Sequence, residues 1–187
     1  MSNTVNAPFG LQPIYHPSGS VRPQAFTLVD SYSATLLQNQ PVKIGTDGTL
    51  QPAAIGDAFI GAFQGVEFTD ADGRRRVSNK WIANNYGTDI TAYATSDPYI
   101  VYQIQSNAAV NITNIGNQYN TGTITAGSTT TGLSAVVLDT ATVTTSGNAQ
   151  LRLIGITPSA DNNWGDTYVV CQVEIAKHQF VATIVAF

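Results

Sequence analysis

The stretch Asp97-Pro98-Tyr99-Ile100-Val101-Tyr102-Gln103-Ile104-Gln105 decides the fold. Ile100, Tyr102 and Ile104 share one side and Val101, Gln103 and Gln105 the other, the period of two that marks a β-strand. Working outward, the same grammar recurs in short runs. Residues 24–29 (QAFTLV) read as a strand, and residues 31–37 (SYSATLL) as a single helical turn capped by the side-chain oxygen of Asp30 or Ser31. Residues 41–44 and Leu50 flank Thr46-Asp47-Gly48-Thr49, an Asp-Gly hairpin turn in which Asp and Gly tolerate positive φ. A second hairpin runs out along residues 58–69, turns at Asp70-Ala71-Asp72-Gly73 and returns along residues 74–82. Residues 107–133, rich in Thr, Gly, Asn and Ser, read as loop or as thin polar strands that depend on their neighbours. Residues 134–138, 149–156, 167–175 and the apolar 180–187 complete the strands. No segment carries a sustained apolar stripe at helical spacing, so the expectation is an all-β chain, a compact antiparallel β-barrel or β-sandwich over residues 24–187.

Residues 1–23 read differently. Pro8, Pro13, Pro17 and Pro23 each lack a backbone donor and bias their predecessors to extended conformations, which fits neither helix nor central strand. Phe9, Leu11, Ile14 and Tyr15 nevertheless need burial. An extended arm satisfies both facts, packed either on its own domain or on a neighbouring subunit.

Of the 187 residues, 12 Asp and Glu stand against 8 Lys and Arg, and charged residues total 11%, against roughly 25% in an ordinary domain. Hydrophobic residues make up 43%, enough for a core, so uncharged polar side chains must cover most of the surface. The net charge of −4 argues against binding nucleic-acid backbones. No apolar run reaches the length of a membrane helix, and MSNTVNAPFG lacks the basic and apolar regions of a secretory signal, so synthesis in the cytoplasm is expected. The single Cys171, within YVVCQVEI, reads as a small buried hydrophobe.

Chemical signatures are sparse. His16 and His178 have no partners at metal-ligand spacing and read as surface or interface histidines; neither a metal nor a cofactor is expected. Asp70-Ala71-Asp72-Gly73 superficially matches the start of a calcium loop, but three arginines follow where further oxygen ligands belong. Glu67 and Glu174, the only glutamates, sit inside strand-like runs and give an enzyme little material. Arg74, Arg75 and Arg76 have two readings: a solvated strand end paired with Asp70, Asp72 and Glu67, or a patch for a partner's carboxylates. Trp81 and Tyr86, with Tyr93, Tyr99 and Tyr102, serve as core or as interface anchors.

The strings NAPFGLQPIYHPSGS (residues 6–20), FQGVEFTDADGRRRVSNKWIA (63–83), Asp97-Pro98 and GSTTTGLSAVVLD (127–139) together resemble a family of head decoration, or capsid cement, proteins of tailed bacteriophages. The resemblance runs in order over most of the chain but leaves out residues 107–126. It implies a non-enzymatic protein on the outer face of the capsid, often a homotrimer, that bridges neighbouring major capsid protein subunits against the pressure of packaged DNA, without binding nucleic acid or membrane. On this reading Phe9, Leu11 and Tyr15 of the arm, with His16, clamp a neighbour, and Arg74, Arg75, Arg76 and Trp81 add a second contact. Two alternatives accompany it: a carbohydrate-binding module of a head or tail fibre, stacking sugars on Trp81 or Tyr86, and a tail or internal virion component.

Overall fold

A computed structural model describes residues 3–145 and 147–182. In chain order the strands are β1 (Gln12–Tyr15), β2 (Gln24–Thr27), β3 (Leu36–Leu37), β4 (Pro41–Ile44), β5 (Leu50–Pro52), β6 (Gly61–Thr69), β7 (Arg75–Ser78), β8 (Lys80–Trp81), β9 (Thr88–Ala94), β10 (Val101–Gln105), β11 (Gln118–Thr121), β12 (Gly127–Ser128), β13 (Leu133–Ser134), β14 (Leu138–Thr144), β15 (Leu151–Ile156) and β16 (Val170–Ile175). One six-stranded sheet runs β1-β10-β16-β15-β11-β14. The other runs β2-β9-β6-β4-β5, with β7 paired to the far half of β6. Among the described residues the one helical element is a single 3-10 turn at Ile112–Asn114. The all-β expectation therefore holds, in a sandwich-type arrangement rather than a closed barrel.

Alternation places Tyr102 and Ile104 of β10 fully inside the first core, beside Leu151 and Leu153 of β15 and Cys171 and Val173 of β16. Burial pushes the Cys171 thiol up to about 12, so it packs as an inert apolar group. The second sheet owns a separate core of Val42, Phe63, Val66, Ile90, Ala92 and Ala94, closed by Trp81. Phe68 meets Trp81 edge to face at 5.2 Å.

The segment 59–63 joins the two cores. Phe59 and Ala62 belong to the first, Ile60 and Phe63 to the second, so this chain is sandwiched between them. Both faces of the segment are consumed, which is why FIGAF is apolar without alternation. Gly61 makes the passage possible, because a Cβ there would land on the Thr95 carbonyl oxygen. Next to it the Thr95 amide donates to the Ala62 carbonyl (3.0 Å) and the Ala62 amide to Thr95 Oγ1 (2.9 Å). Thr95 Oγ1 lies 2.9 Å from the hydroxyl of Tyr102, both side chains being fully buried. Burial also raises the Tyr102 pKa, which keeps that hydroxyl protonated.

Several expectations need correction. Residues 31–37 form no helical turn: Ser31 takes φ 53° and the segment ends in strand β3. The strand expected at 134–138 runs instead from Leu138 to Thr144. Strand β9, central to the second sheet, was not expected at all; its core face shows only Ile90, Ala92 and Ala94. Of the expected strand 180–187, residues 180–182 are turn and bend, and 183–187 lie outside the described residues. Both Asp-Gly hairpins form, with Gly48 at φ 77° and Gly73 at φ 74°.

Replacing Gly61 by Ala is expected to destabilise the fold by about 1–3 kcal/mol or more in urea unfolding, the usual range for forced overpacking. Thr95→Val, equal in volume, should cost about 1–3 kcal/mol for each buried group it leaves without a partner, here the Tyr102 hydroxyl and the Ala62 amide. Unchanged midpoints in both variants would show that this joint is not structurally decisive.

Candidate functional site

The arm packs on its own body. The Asn3 amide donates to Asp166 Oδ2 (2.9 Å), the Ala7 amide to Gln105 Oε1 (3.0 Å), and Asn39 Nδ2 to the Phe9 carbonyl (3.1 Å). Leu11 is fully buried in the first core, and β1 pairs with β10 as an edge strand that accommodates Pro13. Leu11 thus has no surface left to clamp a neighbour, a correction to the expected contact. Phe9 is half-buried, and Tyr15 remains 54% exposed.

Residues 16–23 carry the chain from β1 in the first sheet to β2 in the second, and residues 95–100 carry it back from β9 to β10. The two crossings are tied where His16 Nε2 approaches Asp97 Oδ1 at 3.2 Å. The approach is not directed well enough to count as a hydrogen bond, so the contact is chiefly electrostatic. The Ser18 amide donates to His16 Nδ1 (3.0 Å) and Ser18 Oγ lies 2.6 Å from it, which places the ring proton on Nε2 toward Asp97. A cleft of about 460 Å³ opens here, lined by His16, Ser18, Ser20, Arg22, Gln24 and Asp97 over a floor of Ile100.

His178 is buried rather than superficial, at 3% exposure. Its Nε2 donates to the Ile60 carbonyl (2.9 Å) and its Nδ1 accepts from the Phe180 amide (3.1 Å), an arrangement only the neutral ring satisfies. Burial lowers its pKa, outweighing the nearby Ile60 and Ser96 backbone.

The arginine cluster lies on β7 and its turn. Arg75 Nε donates to Glu67 Oε1 (2.7 Å) across the hairpin, and Arg75 Nη1 to the Asp89 carbonyl (2.8 Å). Arg76 Nε donates to Asp70 Oδ2 (2.6 Å). The Arg75 and Arg76 hydrogen bonds hold the Glu67 and Asp70 carboxyls below their ordinary pKa values. Asp70 Oδ1 also accepts the Asp72 and Arg74 amides, which closes the turn. Arg75 and Arg76 are thus paired within the hairpin, with Glu67 and Asp70, while Arg74 is exposed and, among the described residues, forms no ion pair. Trp81, expected as a contact or a sugar platform, is 1% exposed and donates its indole N–H to the Tyr32 carbonyl (2.8 Å), so it is core. Val77 is 81% exposed and Tyr86 54%. Both line a cleft of about 430 Å³ with Phe68, Asp72, Arg76 and Asn85.

The sequence flagged His16 but not its partner Asp97, because β1–β10 pairing brings together residues far apart in the chain. Val77 carried no signal beyond its place after the arginines. Among the described residues no cluster of His, Cys, Asp or Glu is placed to hold a metal ion. No family model, curated protein or solved structure matches the chain.

Leu11→Ala is expected to cost about 2–5 kcal/mol in chemical unfolding and Tyr15→Ala little, since only the first opens a core cavity. Equal small effects would place the arm outside the fold. For His178 the folded pKa lies below the unfolded value near 6.5, so the unfolded chain takes the proton first. Stability contributed by this group is complete above about pH 6.5 and declines as the pH falls toward the folded pKa. Unfolding midpoints between about pH 7 and about pH 5.5 should therefore drop more steeply in the wild type than in His178→Gln.

Proposed function

We propose that this chain is a structural cement protein of a tailed-bacteriophage head. It assembles as a homotrimer on the outer face of the capsid and bridges neighbouring major capsid protein subunits without performing chemistry. Two lines of reasoning support the reading. One is the ordered sequence resemblance described above. The other is the physical character of the β6–β7 hairpin and the turn after β8, where Val77 at 81% exposure and Tyr86 at 54% flank one cleft.

That cleft is the observation on which the contact surface rests. Aromatic and arginine side chains are enriched where protein interfaces bury their centres, and charged residues are depleted there. Arg75 and Arg76 are held by Glu67 and Asp70, so the hairpin presents an ordered platform rather than loose cations. Burying Val77 against a capsid subunit contributes about 1.5–3 kcal/mol. Single contacts of that size are weak, but a trimer engaging several sites gains ~10²–10⁴ in avidity. Arg74, with Tyr15 on β1 at the edge of the other sheet, supplies secondary contacts; the clamp expected of Leu11 has no part in this version.

The test is decoration of purified shells from the phage that encodes the protein, read by sedimentation and occupancy. The wild-type chain should bind expanded shells, and Val77→Asp and Tyr86→Ala should each reduce apparent affinity at least roughly tenfold, because avidity multiplies each lost contact. Both residues are exposed, so the variants should keep the wild-type unfolding midpoint. Failure of the wild-type chain to bind shells would overturn the capsid reading. Undiminished binding by both variants would overturn the assignment of the hairpin.

A further inference from the structure

We propose that the cleft between the two inter-sheet crossings is a binding site for an acidic sugar, a pyranose ring carrying a carboxylate. This inference is independent of the capsid reading and concerns a cleft that shares no lining residue with that of Val77 and Tyr86.

The cleft is built rather than incidental. One wall is the crossing 16–23, where the Gly19 amide bonds back to the His16 carbonyl (2.8 Å), Gly19 adopts φ 83°, and Val21 packs against the first core. The other wall is the crossing 95–100, fixed at Thr95 by the joint with Ala62 and at Asp97 by the Tyr99 amide donating to Oδ1 (2.9 Å). His16 spans the walls, with Ser18 on one nitrogen and Asp97 on the other. A site preformed in this way spares a ligand the cost of ordering it.

Its polar groups form an asymmetric set. Arg22 has its Nε on Ser20 Oγ (3.2 Å), and among the described residues its two terminal nitrogens have no partner. That half of the guanidinium fork is the one that grips a carboxylate bidentately. Asp97 uses Oδ1 within the protein and keeps Oδ2 for donors, with its side chain 43% exposed. A carboxylate with a free oxygen takes hydroxyl hydrogens, Gln24 offers both a donor and an acceptor, and Ser18 Oγ, its hydrogen given to His16 Nδ1, offers an acceptor. A simple anion would leave Asp97 facing like charge, and a neutral sugar would leave Arg22 without its counter-ion. A ring that carries hydroxyls along one side and a carboxylate at one end satisfies both.

The apolar parts agree with this chemistry. Ile100 forms the floor, at 1% exposure, and supplies an apolar surface for the C–H face of a ring. A volume of about 460 Å³ accommodates one or two sugar rings.

The experiment titrates the isotope-labelled full chain with D-glucuronic acid, D-glucose and sodium acetate in separate series and follows backbone amide shifts. Glucuronate should give saturable shifts confined to residues 16–24 and 97–100, with at least roughly tenfold tighter binding than glucose or acetate, the value of one charge-assisted hydrogen bond. Arg22→Gln should abolish the preference for glucuronate over glucose, and Asp97→Asn should weaken both sugars. Both positions are on the surface, and an otherwise unchanged spectrum reports that each variant is folded. Three outcomes would overturn the assignment: no saturable shifts with glucuronate, shifts centred elsewhere, or acetate binding as tightly as glucuronate.

Discussion

The close passage of Gly61 beneath the Thr95 carbonyl is the contact on which the rest of the structure depends. Two sheets with separate apolar cores do not by themselves make one body. Here a single segment, residues 59–63, gives Phe59 and Ala62 to one core and Ile60 and Phe63 to the other. The absence of a side chain at Gly61 lets Thr95 approach closely enough to exchange hydrogen bonds with Ala62 and to meet Tyr102. Thr95 begins the crossing that becomes β10, so the joint sets where Asp97 stands. Asp97 in turn meets His16 and fixes the first crossing. The geometry of the cleft thus descends from a backbone contact buried beneath it.

How much of this was legible in the sequence follows from the range of each interaction. The Asp-Gly hairpins could be read because their determinants are adjacent in the chain, and β10 because its core face carries large residues at every second position. Strand β9 escaped notice because Ala92 and Ala94 serve a core already filled by Phe63 of the adjacent β6 and Trp81 of β8. A small residue on a core face looks like no signal at all. The burial of Trp81 and His178, and the use of Leu11 by the arm's own domain, depend on partners far along the chain. The helical turn expected at residues 31–37 rested on a cap from Asp30 or Ser31, and Ser31 instead takes a left-handed conformation.

The low charge acquires a structural meaning in this fold. Lys43 pairs with Asp57, Arg75 with Glu67, Arg76 with Asp70, and Arg152 with Glu174. Much of the small complement of charge is therefore neutralised within the molecule, and exposed pairs of this kind contribute only ~0–1 kcal/mol each to stability. Long-range steering by a strong field is not available to such a surface. On the proposed capsid reading, recognition falls instead to exposed apolar groups such as Val77 and Tyr86 and to short-range hydrogen bonding, through many modest contacts with a repeating lattice.

The most direct test of the account is a cryo-electron microscopy map of the intact particle, at a resolution that traces β-strands. The account predicts density for this fold on the outer face of the shell, in threefold clusters, with the β6–β7 hairpin and Tyr86 against the major capsid protein. Density in the tail or inside the shell, or a hairpin turned to solvent while another face meets the capsid, would contradict it.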